Sequence, residues 1–217
     1  MDSKEIIARR VAKEFKSGDL VNLGAGLPTQ IANYLPKDQR IYLHAENGIV
    51  GAAADDPTLP RDIFRTDAGE NPVSIMTGGA IVDSATSFGL IRGGHLTATV
   101  LGTMQVDAEG SIANWMVPGG KFAGMGGAMD LVVGAKRVIV ATEHCSKDGK
   151  SKILSKCTFP LTGYRVVSDI FTELAYIQVT PEGLLLKELA PGVSVDTVIK
   201  CTDAKLSISP LLKQMEL

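Results

Sequence analysis

Cysteine and histidine are scarce in this 217-residue chain, with three of each. Cys145, Cys157 and Cys201 are odd in number and far apart, which argues against a disulfide framework and fits buried or inert thiols in a reducing compartment. His44, His95 and His144 are as scattered, without His-Glu-x-x-His or Cys-x-x-Cys spacing, so neither a structural nor a catalytic metal is expected. A basic surplus is missing too. Lys plus Arg total 22 against 24 Asp plus Glu, a formal net charge of −2, which makes DNA and RNA poor partners. No stretch approaches the roughly 18 uncharged apolar residues of a membrane-spanning helix, and residues 1–10 hold no apolar run of signal-peptide length before their charges. A cytoplasmic protein is expected. With no linker, internal repeat or low-complexity tract, residues 1–217 read as one domain able to bury a substantial core.

Several catalytic signatures are also incomplete. Gly149-Lys150-Ser151 imitates the end of a phosphate loop, but His144 stands where that motif needs its first glycine. Gly24-x-Gly26-x-x-Thr29 has two of the three glycines of a dinucleotide fingerprint, and no Gly-x-Ser-x-Gly elbow occurs. The Gly24–Gly26 turn serves either to pack helix against strand or to receive an anion at a helix start.

The periodicities present predict alternating strands and helices. Ile6, Ile7, Val11 and Phe15 give an amphipathic helix over residues 3–17, capped by Ser3 and stopped by Gly18. Leu20–Leu23 reads as a buried strand, followed by a glycine turn and a helix with Pro28 in its first turn, carrying Ile31, Tyr34 and Leu35. Arg40–Leu43, Leu96–Leu101 and Arg137–Ala141 are further strands, and 51–72, broken by Pro57, Pro60, Gly69 and Pro72, is a loop excursion. Residues 176–186 predict a β-hairpin, and Val193–Lys200 a last short helix. The fold class is α/β, an open, largely parallel sheet flanked by helices on both sides.

Against that frame, Ala45-Glu46-Asn47-Gly48 puts a carboxylate in a glycine turn directly after the strand-like run Ile41-Tyr42-Leu43. Glu is a poor turn residue beside Asn or Gly, so it asks for a reason. One is covalent catalysis through an acyl anhydride or thioester; the other is a solvated surface residue on an Asn-Gly hairpin. Asn47 either donates a hydrogen bond or holds the turn with Gly48, the turn being favoured. Gly124-Met125-Gly126-Gly127-Ala128 is either a tight turn before a helix near Met129-Asp130 or a set of close-approaching amides that lines an oxyanion hole. Trp115 with Asn114 either contacts a ligand or subunit interface or packs in the core.

Asn22–Thr29, Ile91–His95, Ala113–Gly119, Gly124–Val132, Cys157-Thr158 with Pro160–Thr162, and Thr172–Ala175, in this order and spacing, closely resemble the beta subunit of class I CoA-transferases of the 3-oxoacid type. The likeness covers nearly the whole chain and implies the CoA-transferase (NagB/RpiA-like) fold. It also implies a separate alpha subunit as partner, acyl-CoA and short-chain carboxylic acids as substrates, and coenzyme A as substrate without a permanently bound cofactor.

Glu46 matches the family's catalytic glutamate, which would carry an anhydride and then a CoA thioester. Donor, enzyme and acceptor would exchange between carboxylates of similar intrinsic pKa, about 4, so no metal, ATP or redox cofactor is called for. By the same resemblance Gly126, Gly127 and Ala128 lie beside that thioester, while Gly24, Gly26, Asn47 and Gly48 shape the CoA site. Three departures stand out: Ala45 for the family's usual Ser, Ala52-Ala53-Ala54-Asp55 for a Gly-rich segment, and Gly119-Gly120-Lys121 for Pro-Gly-Lys. They bear on substrate choice more than on reaction type. A hydrolytic relative that opens the glutamyl thioester with water, and a non-catalytic CoA-binding subunit on the same scaffold, are the alternatives.

Overall fold

A computed structural model describes residues 1–55, 58, 62–120, 122 and 124–217. Asp56, Pro57 and Pro60 of the anticipated loop, and Lys121 of the third departure, lie outside the described residues. Helix α1 (Ser3–Ala12) is capped by the Asp2 carboxylate, which accepts from the Glu5 amide at 2.8 Å. Asp2 therefore takes the role expected of Ser3. The helix also stops five residues short of 17, because the Asp19 carboxylate takes the Lys16 amide at 2.8 Å and turns the chain towards Gly18, at φ +92°. Strand β1 (Leu20–Leu23) follows as anticipated, then a 3-10 helix over Leu27–Tyr34 in which Pro28 and Ile31, three apart, are the buried residues.

Next come β2 (Tyr42–Ala45), β3 (Ile49–Ala54), β4 (Val73–Ile81), α2 (Ser84–Arg92), β5 (Ala98–Leu101), β6 (Gln105–Asp107) and β7 (Ile112–Ala113). They are followed by α3 (Ala128–Gly134), β8 (Val138–Ala141), β9 (Ile153–Leu154), β10 (Asp169–Phe171), β11 (Ala175–Thr180), β12 (Gly183–Leu189), α4 (Val195–Cys201) and β13 (Leu206–Gln214). The main sheet has ten strands in the order β13-β12-β11-β10-β8-β5-β1-β2-β3-β4. Its centre, from β10 through β8, β5 and β1 to β2, is parallel, whereas β3 and β4 on one side and β11 and β12 on the other join antiparallel. Part of the expected excursion is thus strand: residues 51–54 complete β3, the second arm of a hairpin with β2, where Ala52 pairs with Leu43 of β2 and Ala52–Ala54 pair with Ile75, Ser74 and Val73 of β4. The 176–186 hairpin is β11–β12.

Alternation across the central strands separates two cores. Val21, Leu23, Val100, Ile139 and Phe171 face α1 and the 3-10 helix, while Leu101, Val138, Val140 and Ile170 face α2, α3 and α4. Arg10, Glu14, Glu188, Arg137 and Asp169 form an ion-pair network, Arg137 meeting Asp169 at 2.7 Å and Glu14 at 2.6 Å, that ties α1 to the sheet. No helix among the described residues is long and apolar enough to cross a membrane.

Candidate active site

The parallel strands carry β1 and β2 side by side, with Asn22 in register with His44. Because alternate residues share a face, Asn22 and His44 project from the α2–α3 side of the sheet, and the chain turns back just beyond His44. That turn is Glu46-Asn47-Gly48. The Gly48 amide donates to the Ala45 carbonyl at 3.0 Å, and the Val82 amide donates to the Gly48 carbonyl at 2.9 Å. Gly48 sits at φ +127°, and a Cβ there would lie 2.3 Å from the Val82 carbonyl oxygen, so only glycine fits. The Asn47 side chain donates to the Thr66 carbonyl at 2.8 Å, which makes it a holder of the turn. The Asn-Gly hairpin expected from the sequence is present, and Glu46 at its head is held by a side-chain hydrogen bond rather than left free in solvent.

Glu46 is half-buried, and its Oε2 accepts from Asn22 Nδ2 at 2.9 Å. Asn22, wholly buried, also donates to the His44 carbonyl at 3.1 Å, and its Oδ1 accepts from the Thr99 hydroxyl at 3.1 Å. Buried on the central strands, Asn22 was an unremarkable polar strand position until register placed it 2.9 Å from Glu46. It opens the segment Asn22–Thr29 that carries part of the family resemblance, but nothing local gives it a role. The Glu46 backbone carbonyl accepts from the Ser87 hydroxyl of α2 at 2.9 Å.

Glu46 opens into a cavity of about 520 Å³ whose other walls are Gly24, Ala25, Ala68, Leu101, Thr103, Met104, Asn114 and the segment Gly124–Ala128 with Leu131. The structure thus brings Gly24, Gly126, Gly127 and Ala128 together with Glu46 around one space. Gly26, Asn47 and Gly48 do not line it; Gly26, at φ +87°, starts the 3-10 helix. Gly127 is the N-cap of α3, and the Ala128 amide donates to the Met125 carbonyl at 3.2 Å, so the glycine segment is both a tight turn and a cavity wall. Another cavity, of about 530 Å³, is walled by Leu23, Leu43, Ala45, Ala52 and Val73, and Glu46 is not among its lining residues. Ala45 packs there with Ile49, Ala52 and Val73, away from the carboxylate, so a hydroxyl at 45 would meet an apolar cluster.

A Cβ added to Gly127 would come within 3.2 Å of Glu46 Cγ and 3.3 Å of the Phe88 ring. Its φ of −84° suits any residue, so Gly127→Ala tests contact rather than backbone strain. We expect a folded protein with Glu46 displaced by a fraction of an ångström, which should lower any activity that depends on its carboxylate about 10- to 100-fold. Steady-state kinetics beside a thermal melt checks this; a normal rate would show that the glycine wall is not close to the chemistry.

The remaining candidates fall elsewhere. Trp115 is half-exposed, edge-on to Phe122 at 5.6 Å, with its Nε1 donating to the Leu161 carbonyl at 3.3 Å, so it is not a core residue. All three cysteines are free and only partly buried. Burial, with help from Asp107, pushes the Cys157 thiol up to about 12, and burial raises Cys145 as well, so neither is primed as a thiolate.

A coenzyme A transferase family description matches residues 4–201. The chain is 51% identical over 217 residues to the acetate CoA-transferase subunit beta of Haemophilus influenzae, covering 100% of this chain and 97% of that one. It is 44% identical to the human mitochondrial succinyl-CoA:3-ketoacid coenzyme A transferase 2, over 99% of this chain but only 42% of that protein's length. Among solved structures, an acyl-CoA transferase of Escherichia coli O157:H7 superposes with a TM-score of 0.80 at 23% identity, covering 99% of this chain and 43% of that one, which shows a common fold. On the extent and strength of these matches, the chain belongs to the coenzyme A transferase family.

Proposed function

We propose that this chain is the beta subunit of a 3-oxoacid-type CoA-transferase, which moves CoA between a short-chain acyl-CoA and a free carboxylic acid through Glu46. The observation that carries this reading is the Glu46 carboxylate, anchored at 2.9 Å by a buried Asn22 and facing a glycine-walled cavity. In this mechanism the carboxylate attacks the acyl-CoA carbonyl, forming a mixed anhydride and expelling CoA thiolate. The thiolate then attacks the glutamyl carbonyl, giving a glutamyl-CoA thioester and releasing the first acid. A second acid runs the sequence backwards. Asn22 orients the nucleophile, and the Gly126–Ala128 wall contributes close backbone approach to the tetrahedral oxyanions, where one hydrogen bond is worth about 3–4 kcal/mol. The partner is a separate alpha subunit of related fold, in keeping with the subunit naming of the bacterial relative.

The test uses the assembled two-subunit protein, incubated with acyl-CoA and no acceptor acid. A CoA adduct, heavier than the chain by CoA less one water, is expected on the peptide containing Glu46, while the isolated beta chain stays unlabelled. Steady release of free CoA without acceptor would point to a hydrolase instead. An adduct mapping to Cys145 or Cys157 would overturn the mechanism, and no adduct at all would favour a non-catalytic CoA-binding role.

A further inference from the structure

Resting on the reading of Glu46 as nucleophile, we infer that His44 and Ser87 are positioning residues that fix its backbone, and that α2 sets the gap between Glu46 and the glycine wall. His44 Nε2 lies 3.0 Å from Ser87 Oγ, and Ser87 Oγ donates to the Glu46 carbonyl at 2.9 Å. A serine hydroxyl has one proton, and the Glu46 carbonyl takes it. Ser87 therefore accepts from His44, which assigns the Nε2–H tautomer and leaves Nδ1 as a bare acceptor. The structure agrees: Nδ1 is buried without a partner among the described residues.

His44 is 2% exposed and Ser87 wholly buried, so the bond between them is shielded from water, while the Ser87–Glu46 bond is shielded in part. An apolar side chain at 44 would leave no orphaned nitrogen, and what the imidazole adds is a donor aimed at Ser87. Burial holds this histidine neutral, its pKa down to about 4, so the tautomer persists through the neutral range. Glu46 is thereby gripped twice: Asn22 holds the carboxylate, and Ser87, backed by His44, holds the peptide carbonyl. The neighbouring residue completes the device. Phe88, next on α2, abuts Gly127 on the opposite wall, where an added Cβ would be 3.3 Å from its ring. Two successive residues of one rigid helix thus touch both walls, and α2 is itself keyed to α3 by Gly134, whose close approach to the Ile91 carbonyl tolerates no Cβ.

The test compares Ser87→Ala, His44→Leu, His44→Gln and the Ser87→Ala/His44→Leu pair in the assembled complex, by kcat, KM for acyl-CoA, and the single-turnover rate of adduct formation. Ser87→Ala and His44→Leu should each slow adduct formation about 10²-fold with KM almost unchanged. The double variant should be no worse than the poorer single, because both break one relay. His44→Gln, whose carboxamide N–H can still donate to Ser87, should recover most of the rate, which a loss of packing alone would not predict. Ser87→Ala removes a single oxygen and decides the matter should His44→Leu fail to assemble. Normal adduct formation in folded Ser87→Ala, with Glu46→Ala inactive, overturns this inference and spares the nucleophile. Normal activity in Glu46→Ala would instead sink the reading beneath it.

Discussion

Glu46→Ala and Glu46→Gln should lower transferase turnover by at least about 10⁴-fold, the scale seen when a covalent nucleophile is removed. Gln is the sharper of the two. Its carbonyl can still accept from Asn22, as Oε2 does now at 2.9 Å, and its volume matches, so the turn and cavity should be preserved. Loss of activity would then belong to the missing nucleophilic oxygen. Glu46→Asp keeps a carboxylate but withdraws it by one methylene, from both Asn22 and the glycine wall. A misplacement of about 1 Å costs on the order of 10²-fold, so Asp should be severely impaired without being dead. All three should melt within a few degrees of the wild type, because Glu46 is half-buried on a turn and contributes little apolar packing. Turnover near the wild-type rate in Glu46→Gln would remove the chemical argument and leave the family membership alone.

Acid should destabilise the protein chiefly through two buried histidines. His44 and His144 both have pKa values lowered by burial from 6.5 to about 4. His144 is wholly buried, with Nδ1 2.9 Å from the Thr172 hydroxyl and Nε2 2.8 Å from that of Thr202. The sign follows from proton uptake: the unfolded chain binds protons at these histidines below about 6.5, while the folded chain resists until about 4. Stability is therefore complete above 6.5 and falls as pH drops through that window. A gap of 2.5 units, 6.5 less 4, amounts to about 3 kcal/mol per histidine at its lower end. Glu173, raised chiefly by its own burial, pulls the other way and offsets part of the loss. Denaturant titrations from pH 7.5 to 4.5 should show the fall, and His144→Gln should remove close to one proton from its slope whatever its absolute stability. A flat profile would mean that the interior takes these protons up readily.

Much of the frame was readable locally. The β-branched run Arg137–Ala141 became the fully buried β8, and Leu20–Leu23 became β1, because a central parallel strand needs apolar residues on both faces. Residues 51–54 were not readable as strand. Alanines carry weak β preference, and their pairing comes from β2 and β4 on either side, contacts that exist only after the turn has formed. Strand β13 went unmarked for a similar reason: it is an edge strand with mostly exposed residues and an internal Pro210, allowed where one side of the ladder is unpaired.

For the site, the order of residues alone determined that a glutamate occupies the only place where an Asn-Gly turn follows a strand, and that a glycine run precedes a helix about eighty positions later. Turn chemistry is local, so the sequence carries it. What surrounds that glutamate was decided by tertiary structure. Asn22, Ser87 and Gly127 reach Glu46 from β1, α2 and the start of α3, separated by 24, 41 and 81 residues (46 − 22, 87 − 46 and 127 − 46). Each such meeting depends on strand register and helix packing, which follow from burial of the whole core, and no short window of the chain encodes them.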